Sequence, residues 1–420
     1  MTGPQRHAVV VGGSLGGLTA ALLLLDAGFS VAVYERSAEL ADRGAGIVAH
    51  PESLRYLVER GIARLEDVSI SCANLRYLDR DGGLLQEGPV GYRFTSWFAL
   101  YERLLERLPP GSMHFSEALH DVSDGADRVT VSLDGGLEAS GDLLVCADGI
   151  SSTARQLLQP SVEPVYAGYI GWRGTVPIAA LEPRLRSTLA GHITYQLLDA
   201  GHTLAYPIPG ARVGATGAAL NWIWYRRLDE GPDLTRAMTD AAGRHHQLSV
   251  PPGSVAAAVE GELREAAADL LAGDLAALVK TTPRPFIQRV VDVEVERMAF
   301  GRVCLVGDAA FVARPHAAAG TAKAAADGWS LGAALTGEED VPAALRRWEP
   351  GQLALGRSLV RRSRRLGEAQ FAGDWVAGDA SLLFGLRAPG DSCFDVVTGT
   401  APAGRAGPAP GAVEERPWQR

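Results

Sequence analysis

The chain has 420 residues, 47% hydrophobic and 21% charged, the composition of a globular protein with apolar material for more than one core. Its 49 acidic against 40 basic residues give a formal charge of −9, which disfavours nucleic acid as a partner. The four cysteines, Cys72, Cys146, Cys304 and Cys393, lie too far apart for paired thiolate metal ligands, and their sparseness fits a reducing compartment.

The first element is the apolar run Ala8-Val9-Val10-Val11, stopped by Gly12-Gly13-Ser14-Leu15-Gly16-Gly17. Leu18, Ala21, Leu22 and Leu25 then recur at helical spacing up to Gly28, and Ser30-Val31-Ala32-Val33-Tyr34 follows, ending at Glu35. Strand, glycine turn, helix and strand form a βαβ unit, which predicts a parallel sheet. The apolar run from Leu18 stops at Asp26, short of the roughly 20 residues of a membrane span. No secretory cleavage pattern precedes the first strand, so the expected location is the cytoplasm, away from membranes.

From about Asn74 to Trp97 the pattern changes to short alternating pieces around Asp79-Arg80-Asp81-Gly82-Gly83, a hairpin signal. Residues 165 to 227 continue in that style, with strands expected at Tyr169–Gly174, His192–Gln196 and Asn221–Tyr225. Five tryptophans, Trp97, Trp172, Trp222, Trp224 and Trp329, fall in or near this body or in the glycine-rich segment after Asp308; in a sheet such enrichment is more often packing than recognition. Val303-Cys304-Leu305-Val306 reads again as a buried strand, and Ala317 to Leu335 as a long, closely packed helix. Seven arginines follow between Arg346 and Arg365, of which Arg357, Arg361, Arg364 and Arg365 share one helical face. A solvated face is the simpler reading than an anionic docking surface. Residues 399 to 412 are twelve-fourteenths Gly, Ala or Pro, which predicts a disordered tail over 399–420.

A glycine turn between strand and helix lets the backbone approach a pyrophosphate, whose charge meets free N–H groups at the helix N-terminus. Glu35, 18 residues after Gly17, stands where a carboxylate would accept from a ribose hydroxyl. Ser14 replaces the middle glycine of G-x-G-x-x-G, so either the phosphate sits farther away or the hydroxyl supplies a contact. Two later segments add specificity: Gly141-Asp142-Leu143-Leu144-Val145-Cys146-Ala147-Asp148-Gly149 through Arg155, and Gly301-Arg302-Val303-Cys304-Leu305-Val306-Gly307-Asp308-Ala309-Ala310. With the glycine turn they resemble, in order, the three fingerprints of the single-component flavin monooxygenases with the p-hydroxybenzoate hydroxylase fold. Ala313-Arg314-Pro315-His316-Ala317-Ala318-Ala319-Gly320-Thr321-Ala322-Lys323 is most similar to the 2,6-dihydroxypyridine hydroxylase branch, and the resemblance covers about residues 7 to 370.

The resemblance implies an α/β fold. A Rossmann-like FAD-binding domain would come from residues 1–73, 98–165 and 285–398 with C-terminal helices, and a mostly antiparallel substrate sheet from 74–97 and 166–284. It places Gly12, Ser14, Leu15 and Gly17 at the pyrophosphate turn, Glu35 and Arg36 at the adenosine ribose, Arg103 on the pyrophosphate and Asp308 on a ribityl hydroxyl. Asp148 would lie where flavin and nicotinamide nucleotide both approach, and Pro315 with Ala319, Gly320 and Thr321 beside the isoalloxazine, whose reduced anion a helix N-terminus stabilises. Simpler readings are a helix N-cap for Asp308 and a turn residue for Asp148. The implied reaction is hydroxylation of an electron-rich hydroxylated aromatic or N-heteroaromatic ring through a flavin C4a-hydroperoxide, with transient NAD(P)H and O2.

Such a ring is activated by loss of a hydroxyl proton, for which His316 is the first candidate base, His50 the second, and Tyr206 and Tyr225 the third. A structural histidine and core tyrosines are the competing readings. His245-His246 lacks a third metal-ligand partner, and no metal is expected. A homodimer is left open. Oxygenation of a larger aromatic natural product is the alternative activity, and a redox-silent FAD protein the alternative of another class. Trp222-Ile223-Trp224 followed by Tyr225-Arg226 departs from the halogenase pattern, and Lys323 is no clear match to its catalytic lysine.

Overall fold

The computed structural model of the chain describes residues 5–39, 46–210, 217–373 and 385–387. The expected tail over 399–420 and Cys393 lie outside the described residues.

His7–Val11 is apolar enough to be covered on both faces, and it sits near the centre of a six-stranded sheet. It runs parallel to Ser30–Glu35 on one side, Val10 opposite Val33, and to Leu143–Cys146 on the other, Val10 opposite Val145. Val303–Leu305 continues the parallel set, and Met113–Phe115 closes the far edge. The carboxyl ends of the strands that precede the three sequence fingerprints therefore share one edge. Against this sheet packs the helix Leu15–Asp26, and on that helix packs Gly320–Leu335. Their approach is close because small residues face it: a Cβ built on Gly332 would lie 3.2 Å from Cβ of Leu23, and one on Gly328 3.4 Å from the Ala20 backbone.

That second helix begins at Gly320, three residues later than its alanine pattern suggests. Pro315–Ala317 forms a single 3-10 turn, and Ala318 takes a left-handed conformation, φ +53°, which ends that turn before the α-helix can start.

The second body is a nine-stranded, mostly antiparallel sheet. Its centre is Val165–Pro177, Ala218–Arg227 and Gly201–Pro209; one parallel pair joins His192–Leu198 to the Asn74–Leu78 hairpin strand. Phe286–Glu294 pairs with Val165–Pro177, so the sheet reaches past residue 284. Two-residue periodicity gives it two different buried faces. Ile170, Trp172, Leu220, Trp222 and Trp224 point into a core covered by the helices Ala257–Leu270 and Gly273–Thr281. Tyr169, Tyr195, Tyr206, Ile223 and Tyr225 point the other way. The tryptophans of the W-x-W string are thus packing residues, with the Trp222 indole donating to Thr282 Oγ1 at 2.8 Å. Sequence patterning did not announce a further three-stranded sheet, Leu119–Asp124, Val129–Leu133 and Glu138–Gly141, within the nucleotide-binding part.

The chain returns in the 32-residue helix Val341–Ala372. Two of its aligned arginines are ion-paired, Arg364 with Asp292 at 3.0 Å and Arg357 with Glu294 at 3.8 Å, in keeping with a structural face. Among the described residues no helix is long and apolar enough to cross a membrane.

A Cβ on Gly17 would sit 1.8 Å from the Gly12 carbonyl oxygen, whereas one on Gly261, in the helix Ala257–Leu270, would meet nothing within 4 Å. Gly17→Ala should destabilise the protein by about 1–3 kcal/mol, and Gly261→Ala should stabilise it by about 0.5–1 kcal/mol. Urea denaturation of the two variants compares them directly.

Candidate functional site

A cavity of about 810 Å³ lies between the carboxyl edge of the parallel sheet and the tyrosine-bearing face of the antiparallel one. Gly12, Ser14, Leu15, Glu35, Arg36, Asp148, Asp308, Pro315, His316, Ala319, Gly320, Thr321 and Tyr206 all line it. Three candidates do not: Gly17, His50 and Arg103.

At the nucleotide end, Gly12 has φ +102°, and a Cβ there would come within 2.2 Å of the Ala147 carbonyl oxygen. Gly17 serves the same close packing from the helix side, which is why it is covered and does not face the cavity. Ser14 is the N-cap of Leu15–Asp26, but its side chain caps nothing; its Oγ accepts from the Trp97 indole at 3.1 Å. The first-turn N–H groups are therefore left without a side-chain partner, the arrangement an anion needs. Glu35 is buried and accepts from the Gly13 N–H at 2.9 Å and the Ser37 N–H at 3.0 Å, which fixes its carboxylate against the turn. Arg36 is exposed at the rim. Arg103 stands in the last turn of the helix Trp97–Leu105, where its charge acts on Asp67 and not on the cavity.

In the middle, Asp148 is both turn residue and cavity wall. It accepts from Ser152 Oγ at 2.5 Å and from the Ala154 N–H at 3.0 Å at the start of the helix Thr153–Leu158. Burial raises its pKa, against those two hydrogen bonds. Arg155 is fully buried and donates to the carbonyls of Ile150 at 2.7 Å and Ala309 at 3.1 Å, sewing the second fingerprint to the third. Asp308 is open to the cavity while protein encloses it. No hydrogen bond to its carboxylate comes from the described residues, so the N-cap alternative does not hold, and burial pushes its pKa up to about 6 against the pull of Lys323 and Arg155. Lys323 is spent on a buried pair with Asp327, 2.7 Å to both oxygens, and Asp327 also accepts from the Gly307 N–H at 2.8 Å. That lysine does not line the cavity, which removes the halogenase reading.

At the far end, Ala319 caps Gly320–Leu335 with no side-chain bond, and Ala319, Gly320 and Thr321 line the cavity. His50 lies behind them: its Nε2–H donates to the Ala318 carbonyl at 2.9 Å. It braces the left-handed turn and does not face the space where a ring would sit, because the N-cap position before Pro51–Glu59 turns it inward. His316 Nε2 lies 2.6 Å from the Tyr169 hydroxyl, while its Nδ1 is buried without a partner. Burial, helped by His202 and Arg314, holds its pKa well below the usual imidazole value. Burial likewise pushes the Tyr169 phenol far up, so the neutral phenol donates to a neutral imidazole. Tyr206 stacks on Phe94 with centroids 4.2 Å apart, and burial pushes it up to about 12.

Sequence reasoning missed Tyr169, Arg173 and His202. Tyr169 was read only as part of a strand, yet alternation along that strand sets Tyr169, Gly171 and Arg173 on one face, opposite Ile170, Trp172 and Gly174. His202 follows from its strand partner Tyr225. Among the described residues no cluster of His, Cys, Asp or Glu could hold a metal ion.

The residues present fit FAD. A cradle where Cβ atoms would collide, two helix starts without side-chain caps and an unpartnered carboxylate inside the cavity are what a dinucleotide needs. A carboxyl held above its unfolded value stabilises the fold only while protonated, and that contribution is lost as pH rises through the folded value. Cofactor-free protein should therefore lose stability from Asp308 between pH 3.8 and about 6. Asp308→Asn should be the more stable above that window and indistinguishable below it, as thermal melts across pH would show.

The sequence matches the FAD binding domain family over residues 5–69 and 262–363, and the FAD binding domain-like family over residues 166–292. It is 38% identical to the 2,6-dihydroxypyridine 3-monooxygenase of Paenarthrobacter nicotinovorans over 391 residues, 92% of this chain and 97% of that one. It is 31% identical to a 3-amino-4-hydroxybenzoate 2-monooxygenase of Streptomyces platensis, covering 86% of this chain and 88% of that one. Its fold superposes on the solved 2,6-dihydroxypyridine-3-hydroxylase from Arthrobacter nicotinovorans with a TM-score of 0.88 at 36% identity, covering 92% and 98% of the two chains.

Proposed function

The chain belongs to the FAD-dependent monooxygenases, and from that premise we propose that it hydroxylates a small hydroxylated N-heteroaromatic ring of the dihydroxypyridine kind. The observation that carries this reading is the single cavity in which Glu35, Asp148 and Asp308 face the tyrosine and histidine side of the substrate sheet. Bound FAD would supply the redox chemistry, two electrons from NAD(P)H and O2 activation, with one oxygen atom going to the ring and the other leaving as water.

The chain's own residues divide the remaining work. Glu35 accepts from the adenosine ribose and Asp308 from a ribityl hydroxyl, both carboxylates being placed to receive donors. The starts of Leu15–Asp26 and Gly320–Leu335 meet negative charge at the pyrophosphate and at the flavin ring. Tyr195, Tyr206, Tyr225, His202 and Ile223 present flat or apolar surface to a planar ring and exclude water. His316 is a positioning residue and not the base. Its Nε2 is committed to Tyr169 and its Nδ1 is shielded, so no lone pair is presented to the substrate. A cytoplasmic location fits the buried free thiols of Cys72, Cys146 and Cys304.

Purified protein should be yellow, oxidise NAD(P)H with O2 faster when 2,6-dihydroxypyridine is added, and give a product heavier by one oxygen atom. A holoprotein that shows no ring-stimulated oxidation across hydroxypyridines and hydroxybenzoates would instead be the redox-silent alternative. His316→Ala should lower the hydroxylation rate roughly 10- to 100-fold and divert the missing product to hydrogen peroxide. Tyr169→Phe should shift coupling in the same direction. A general base would instead leave coupling intact and move the pH profile of turnover, so peroxide yield and pH dependence together separate the two roles.

A further inference from the structure

Three arginines line the cavity, Arg36, Arg173 and Arg289. Arg36 is at the exposed nucleotide rim, and Arg289 has Glu230 at 3.4 Å. Arg173 alone of the three stands in the middle of the substrate face with no acidic partner. Among the described residues no carboxylate oxygen lies within ion-pair distance of it. Its Nη1 donates to Gln288 Oε1 at 3.0 Å, and its Nε–H is buried with no acceptor.

A guanidinium carries five donors and one fixed positive charge. Neutral acceptors account for part of the donor set here and for none of the charge. The neighbouring phenols do not supply an anion: burial raises Tyr206 and Tyr225 even though the charge of Arg173 pulls both down. Holding an unpaired cation in a partly dry cavity is costly, and the cost is recovered only when an anion arrives. The acidic groups of the wall, Glu35, Glu117, Asp148 and Asp308, belong to the nucleotide-binding part and carry the wrong sign for a substrate oxyanion.

We infer that Arg173 makes the cavity selective for the anionic form of the ring, by pairing with an oxyanion that the ring itself carries. This rests on the ring-hydroxylase reading. It adds which ionisation state is bound: an electron-rich ring is recognised after it has lost a proton, so activation begins with binding. Two chemical sources supply such an oxyanion, an ionised ring hydroxyl and a ring carboxylate.

The test measures binding by quenching of intrinsic tryptophan fluorescence in the FAD-loaded protein at mildly alkaline pH. The probes are 2,6-dihydroxypyridine, its neutral analogue 2,6-diaminopyridine, and 3-amino-4-hydroxybenzoate. Wild type should prefer 2,6-dihydroxypyridine over the diamine. Arg173→Met should weaken 2,6-dihydroxypyridine about 100-fold, leave the diamine within about 3-fold, and retain FAD with an unchanged visible spectrum. Arg173→Lys should recover part of the loss, since it keeps the charge without the fork. A larger loss for the benzoate than for the pyridine would assign the pairing to a carboxylate, and the reverse to a ring oxygen. Equal weakening of anionic and neutral rings, no weakening, or loss of FAD from both variants would each overturn the inference. Ring-stimulated oxygenation that persists alongside any of these leaves the hydroxylase reading standing. A wild type that binds none of the probes and shows no ring-stimulated oxidation removes the reading and the inference together.

Discussion

Much of this structure depends on two glycines that cannot carry a side chain. Gly12 turns the chain off the first strand at φ +102° with the Ala147 carbonyl where a Cβ would go, and Gly17 lets the first helix sit on that same turn. Because of this approach the helix start and the end of Leu143–Cys146 lie beside one another, and the second fingerprint joins the first. Arg155 extends the junction. Its buried guanidinium satisfies carbonyls of Ile150 and Ala309, so the third fingerprint is tied to the second by hydrogen bonds and not by packing alone. Breaking one partner of such a buried set strands a charge, which costs far more than the net value of a surface pair.

The same economy governs the polar groups near the flavin end. Lys323 and Asp327 neutralise each other in the interior, and Asp327 also holds the Gly307 N–H, so the backbone before Asp308 is fixed from behind. His50 does the equivalent for Ala318, a non-glycine residue kept at positive φ by its surroundings. Neither histidine proposed as a base has an open nitrogen toward the cavity. What the cavity wall offers instead is shape, aromatic surface, one carboxylate without a hydrogen-bond donor from the described residues, Asp308, and one guanidinium without an anionic partner, Arg173.

The nucleotide half was largely legible in the sequence, because its constraints are local: glycine where φ is positive, a carboxylate at a strand end, a run of β-branched residues between glycines. Glu35, Asp148 and Asp308 could be placed on one cavity because the carboxyl edge of a parallel sheet is common to all its strands. Arg103, by contrast, is not on the cavity wall. Of the helix Trp97–Leu105 it is Trp97, at the first turn, that lines the cavity, while Arg103 in the last turn acts on Asp67. His50 and His316 were singled out in the sequence as candidate bases, but their hydrogen-bond partners, Ala318 and Tyr169, lie 268 and 147 residues away. Long-range partners decide whether a ring nitrogen is available, and single-sequence reasoning does not see them. Of the substrate face the sequence singled out Tyr206 and Tyr225, which line the cavity, and reading alternate residues along Tyr169–Gly174 would have exposed Arg173 as well.

The pleated sheet of the second body also separates two tasks by parity of position. Along Ala218–Arg227, Trp222 and Trp224 hold the scaffold together, while Ile223 and Tyr225 meet the cavity. An exchange at Ile223 or Tyr225 changes the cavity wall, whereas Trp222 and Trp224 belong to the packed layer behind it. Ring-facing and scaffold-holding positions are thus interleaved on one strand, an arrangement in which the contacts of the cavity can differ while the packed layer behind it stays the same.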